Sequence, residues 1–223
     1  MILMVTGTFS AGQNDSKQIV QSALEHSSQQ IDQQYGQLSV QAVDFASDLS
    51  REIEENLDKQ SFTFVEFSEH PEELEELVSD LFQQTYFTLQ RSKCSGAFFI
   101  LDTTVNPDLE NAEYSKAGLY IKNMEPNVVS STSPTFTLLH GSPDIGRENS
   151  INLHTQWSME FDVRDAAYYK IPIDMAAKDT SVPLSKLYYW SDPLTLAGTS
   201  EDMMLCTVPL IDSNNNIYGV CGF

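Results

Sequence analysis

Six polar aromatics crowd into 34 residues: Trp157, Tyr168, Tyr169, Tyr188, Tyr189 and Trp190. Asp165, Lys170, Asp174 and Asp192 are interleaved with them. Small-molecule pockets combine mostly apolar walls with a few placed polar groups. Tyr and Trp supply a flat apolar face and a hydrogen-bonding tip. The chemistry on offer is recognition: Tyr169 and Trp190 stack on a ligand, and Asp192 accepts from a donor such as a ligand amine. The plain alternative makes these rings ordinary core and rim residues. Covalent chemistry has less to stand on. The chain carries no GxSxG, HExxH, CxxC, phosphate-binding glycine loop or dinucleotide fingerprint. Of His26, His70, His140 and His154, none is three or four residues from another, so no local metal pair exists. A hydrolase would need His140 or His154 to converge with a carboxylate such as Asp144 in a cleft. No cofactor and no metal is expected.

Composition narrows the partners. The 223 residues are 41% hydrophobic and 10% aromatic, enough for a globular core. The net charge of −20 comes from 32 acidic residues against 12 basic ones. Its field repels nucleic-acid phosphates and anionic membrane surfaces, and it suits a solvated domain outside the cell. Cys94, Cys206 and Cys221 are odd in number and lack metal-ligand spacing. Cys206 and Cys221 lie on adjoining strands, where a disulfide needs specific geometry; buried free thiols are the simpler reading. Met1–Val5 is apolar but far short of the roughly 20 residues that span a bilayer.

These side chains need a scaffold. From Asn14-Asp15-Ser16, which offer helix N-caps, to Lys59 there is no proline. Ile31, Tyr35, Leu38, Ala42, Phe45, Leu49, Ile53 and Leu57 recur at steps of three and four, one face of a long helix. Such a helix must lie along a globular body, a second copy of itself, or both. A break at 60–67 carries Phe62, Phe64 and Phe67. A second helix starts at Pro71, with Leu74, Leu77, Val78, Leu81 and Phe82 as its apolar face. Between Arg51 and Asp80 eleven acids face two bases, a solvated helix face or a protein-docking one. Strands are predicted at 94–102 and 117–122. The segment 123–156 is poorly periodic apart from a short helix at 143–147, a further extended piece covers 159–163, and Pro172 marks a kink in a helix at 165–178. Three strands close the chain, the last two joined by an Asp212–Asn216 turn. The last strand is expected mid-sheet beside 94–102. Ending on a core strand, the chain reads as one part of a larger protein.

Three stretches resemble the Cache sensor domains, PAS-like ligand-binding modules outside bacterial cells. They are the long helix leading into GAFFILD and GLYIK, the segment DAAYYKIPIDMA, and YYWSDPLT followed by MMLCTVPLIDSNNNIYGVCGF. The resemblance implies an α+β fold, a long N-terminal helix packed on a five-stranded antiparallel sheet. It implies the membrane-distal module of a double-Cache receptor, with membrane segments and cytoplasmic effector outside this chain. The expected division is 1–13, either disordered or the stub of a tag or membrane segment; 14–93, a helical stalk of the long helix and the second helix; and 94–223, the PAS-like sensor module. Amino-acid-binding members place an arginine just before an aromatic pair. Here Tyr168 and Tyr169 fit the pair, Ala166 holds the arginine's place, and Arg164 is two residues off. Trp190 and Asp192 match the next pocket positions. The implied partners are a small-molecule ligand and a second copy through the long helix. An interaction module using helix 71–82, and a hydrolase, stay open as alternatives.

Overall fold

The structure, a computed structural model, describes residues 2–60, 63–125, 135–195 and 201–223, with side chains from Ser16 onward. The chain divides into two compact units, 1–38 and 39–223. The first is the leading part of helix α1 (Ile2–Lys59). The helix begins at Ile2, so that Asn14-Asp15-Ser16 lie within it and not at its start. No proline precedes Pro71, and the three glycines before it each cost only about 1 kcal/mol against alanine. Ile19, Val20, Leu24 and Ile31 are exposed on this part. The expected boundary at 93/94 falls inside the second unit, and Phe62 lies outside the described residues.

In the second unit α1 buries Ala42, Phe45, Ala46, Leu49 and Ile53. Helix α2 (Pro71–Arg91) opens on proline, with Glu72 and Glu73 at the positive end of its dipole. Its buried face is Leu74, Leu77, Val78, Leu81, Phe82, Thr85 and Leu89. Full burial of each large apolar side chain stabilises by about 1.5–3 kcal/mol, so these two stripes hold the helices down.

The strands are β1 (Gly96–Leu101), β2 (Ser115–Lys116), β3 (Gly118–Asn123), β4 (Phe136–His140), β5 (Asn152–Ser158), β6 (Phe161–Asp162), β7 (Tyr189–Trp190), β8 (Leu194–Thr195), β9 (Asp202–Met203), β10 (Cys206–Ile211) and β11 (Ile217–Gly222). Helix α3 (Pro143–Glu148) separates β4 from β5, and α4 (Ala167–Lys178) lies between β6 and β7. The main sheet runs β5-β4-β3-β1-β11-β10-β7. Its five middle strands are antiparallel neighbours, as expected for this α+β fold, and β11 sits beside β1 with Phe99 opposite Cys221. Two edge strands extend them. Strand β5 runs parallel to β4 and is mostly exposed and polar, which hid it within 123–156. The two-residue β7 pairs with Cys206 and Thr207 of β10.

All six residues of β1 are buried, because both faces of the sheet are covered. Ala97, Phe99, Leu101, Leu119, Ile121 and Val208 pack in the core beneath α1 and α2. Phe98, Ile100, Tyr120, Leu139 and Val220 face the other way, into a second core with Phe161, Val163, Ala166 and Tyr169. Strand alternation sends neighbours to opposite cores. The candidate site is on this second face. Among the described residues, no helix is long and apolar enough to cross a membrane.

Candidate functional site

Residues of two segments, 158–168 and 189–195, supply most of the lining of a cleft on the second face. Its volume is about 890 Å3. An adjoining apolar pocket of about 60 Å3 reaches the sheet, where Phe98, Tyr120, Phe161, Tyr168, Met203 and Leu205 line it.

Tyr168, second residue of α4, lines both cavities. Its ring meets Phe98 edge-on, with centroids 6.2 Å apart. Burial first, then the charge of Asp162, raises its phenol above the usual range. Asp192, exposed, also lines the cleft, from the 189–195 segment. Arg164 also lines the cleft, with its guanidinium 5.2 Å over the Tyr114 ring. Asp162 Oδ1 accepts from the Arg164 amide at 3.0 Å. Ala166, which holds the arginine's place in the resemblance, is buried among the second-core side chains. These three predicted residues, Tyr168, Asp192 and Arg164, are brought together.

The other three are not. Tyr169 is buried, and its hydroxyl donates to Asp102 Oδ1 at 2.8 Å; Lys116 Nζ reaches the same oxygen at 2.7 Å. It ties α4 to the end of β1 and does not line the cleft. Trp190 faces the helix side, and its indole donates to Ser39 Oγ of α1 at 3.0 Å. Trp157 packs against the same core and donates to the Gly141 carbonyl at 3.0 Å. Tyr189 and Trp190 are successive strand residues, so only one of them can face the cleft, and Tyr189 does.

Several cleft residues gave no signal in the sequence. His140 ends β4 with its ring stacked on Phe161, centroids 4.0 Å apart, and Ser158 Oγ lies 2.9 Å from its Nδ1. Burial lowers its pKa to about 4, against partial support from the backbone of Glu160 and Ser158. The imidazole is therefore neutral at neutral pH. His154 and Asp144 do not join it: His154 Nδ1 accepts from the Gln156 amide, and Asp144 pairs with Arg147. Glu160 accepts from Thr104 Oγ1 at 2.8 Å, from the Val105 amide at 2.7 Å and from Ser115 Oγ. It pins the connection after β1 against the cleft wall. Lys122, 3% exposed, pairs with Glu201, so this buried ammonium is neutralised.

Among the described residues, no group of three or more His, Cys, Asp or Glu is placed to hold a metal. The three cysteines are free thiols. Burial pushes Cys94 up to about 11 and Cys206 up to about 12, which leaves little reactive thiolate.

No protein-family model matches the chain, and no curated protein matches it. Among solved structures the chain is similar to the crystal structure of the periplasmic sensory domain of the Campylobacter jejuni chemoreceptor Tlp1, at 13% identity and a TM-score of 0.47. The match covers 89% of this chain and 56% of that one, so the chain spans little more than half of that structure's length. At that distance, fold and site stand on the chain's own residues.

Proposed function

We propose that this chain is the extracytoplasmic ligand-sensing domain of a bacterial transmembrane signalling receptor, and that it binds a small molecule without chemical turnover. The observation that carries the binding reading is the division of the sheet. One face is filled by α1 and α2, and the other holds an open cleft of about 890 Å3 that narrows to an apolar pocket. That is the shape and lining of a small-molecule site. Tyr168 supplies a ring, Asp192 an acceptor and Arg164 a donor. A ligand that binds one arrangement of the two walls better than another shifts the population between them. The 189–192 wall and α1 meet at Trp190 and Ser39, which offers a route to the long helix. A second copy would cover the exposed Ile19, Leu24 and Ile31 of α1, and the rest of the receptor is its remaining partner.

A thermal-shift screen of amino acids, amines, sugars and organic acids tests this. Ligand at a hundred times its Kd stabilises by about 2.7 kcal/mol, a rise of roughly 5–10 °C for a domain this size. Ala167→Trp places an indole in the cleft mouth and is expected to abolish the shift. Trp190→Phe lowers the melting temperature but leaves the shift intact. A ligand still bound by Ala167→Trp would put the site elsewhere.

One observation favours a hydrolase: Ser158 and His140 have the separation of a nucleophile and its base. Against it, the low pKa of His140 makes it a weak base, and no carboxylate among the described residues orients the ring. A fluorophosphonate probe is expected to leave Ser158 unlabelled. Labelling that Ser158→Ala removes would revive the reading.

A further inference from the structure

The mouth and the depth of the cleft differ in chemistry. The mouth carries four carboxylates, Glu160, Asp162, Asp165 and Asp192, against one guanidinium, Arg164. Glu160 is saturated by three protein donors, and Asp162 gives one oxygen to the Arg164 amide. Asp165 and Asp192 are exposed, and no described residue bonds their carboxylates. Arg164 is engaged over the Tyr114 ring.

The depth is mostly apolar, and its polar side chains are Tyr120, Tyr168 and His140, the last neutral at neutral pH. Tyr120 is 6% exposed, and its hydroxyl contacts the thioether sulfur of Met203 at 3.5 Å, a weak acceptor. The pocket around it measures about 60 Å3. A dry cavity of about 150 Å3 accepts benzene, so this one is too small for a ring and fits an aliphatic end of roughly three or four carbons.

Resting on the cleft as the ligand site, we infer that the ligand is an organic cation with a short aliphatic tail and no carboxylate. The tail enters the pocket beside Tyr120, and the ammonium stays at the mouth between Asp165 and Asp192. Charge-assisted bonds to those carboxylates are the strong kind. The chain's net charge of −20 concentrates cations near the surface. The carboxylate of a free amino acid would instead enter a mouth where acids outnumber bases four to one.

Calorimetric titration with four probes sharing one tail tests the inference: 3-methylbutylamine, leucine, 4-methylpentanoate and 3-methylbutan-1-ol. The amine is expected to bind at least about tenfold tighter than the other three, with affinity falling as salt rises. Asp165→Asn and Asp192→Asn, both at exposed positions, each weaken the amine about tenfold and leave the alcohol unchanged. Leucine or 4-methylpentanoate binding as tightly as the amine, and blocked by Ala167→Trp, overturns the inference while the cleft stands. Amine binding that survives Ala167→Trp overturns both. Absence of amine binding at about 10 mM overturns the inference alone, and the wider screen then decides the cleft.

Discussion

Gly219→Ala should leave a chain with no cooperative unfolding transition. Gly219 lies on β11, in the middle of the sheet, between Leu101 of β1 and Leu210 of β10. Its φ is +145°, a conformation that side-chain-bearing residues rarely adopt, and strain of that kind costs on the order of 1–3 kcal/mol. Space is the larger problem. A Cβ there would stand 2.0 Å from the Ile100 carbonyl oxygen and 2.9 Å from Leu101 Cα. Both are backbone atoms of the neighbouring strand, so no side chain can turn aside. Relief requires β1 and β11 to separate, which loses ladder hydrogen bonds worth about 1 kcal/mol each and opens both cores. The sum exceeds about 5 kcal/mol, against a total stability of about 5–15 kcal/mol for an ordinary domain. Gly36→Ala is the control. It sits in α1 with nothing within 4 Å of the added carbon, and should stabilise by up to about 1 kcal/mol. Urea unfolding followed by far-ultraviolet circular dichroism reads both. A Gly219→Ala midpoint close to that of the parent would show that the central strands can yield.

The second large effect is an acid-induced loss of stability set by His140. Folded, it stays neutral down to about pH 4, because its half-buried ring is desolvated by its surroundings. In the unfolded chain it titrates near 6.5. Between those values the unfolded state binds the additional proton, so stability declines as pH falls through that window and changes no further below it. The full difference corresponds to about 3 kcal/mol. The ring's ionisable neighbours, Tyr120 and Tyr168, have phenols raised by burial and stay neutral throughout. Protonation of carboxylates relieves repulsion over the same range, so the comparison must be with His140→Gln. That variant loses the Phe161 stacking at every pH but keeps the carboxylates. The gap between the two curves is expected to narrow by about 3 kcal/mol from pH 7 to pH 4. Parallel curves would place the imidazole in water.

Much of the scaffold was legible in residue order. Leu74 to Phe82 has helical spacing and is buried as spaced. The closing hairpin announced itself through apolar runs flanking Asp212–Asn216, and Asp212 Oδ1 accepts from the amides of Asn214 and Asn216. The closing strand has a second glycine with a steric reason, since a Cβ on Gly222 would also meet backbone, Cys206 O at 2.1 Å. Less legible were elements with weak patterns. Strand β5 is a polar edge that pairs with β4, and β7 has two residues.

The site was half legible for a different reason. Aromatic density located the neighbourhood, but a ring's value to a ligand depends on which face of the sheet it occupies. Neighbouring residues 189 and 190 differ in that face, and composition cannot separate them. Tyr169 looked equivalent to Tyr168 until helix α4 turned it toward Asp102. His140 and Glu160 carry no local motif. They reach the cleft through pairings that span the chain, His140 with Ser158 across two strands and Glu160 with Thr104 at 2.8 Å.

The direction of the Trp190 ring has a mechanical consequence. Asp192 is two residues from Trp190, roughly 7 Å of extended chain, and the Trp190 indole is bonded to α1 at Ser39. A pull on the cleft wall therefore has a short strut to the helix, which includes the Trp190–Ser39 hydrogen bond. The six long strands are held separately: β7 joins the sheet through two residues of β10, while β10 has its own bond to α1, from the Ile211 amide to Ser50 Oγ at 3.0 Å. A well-paired sheet and a weakly paired edge thus coexist in one domain.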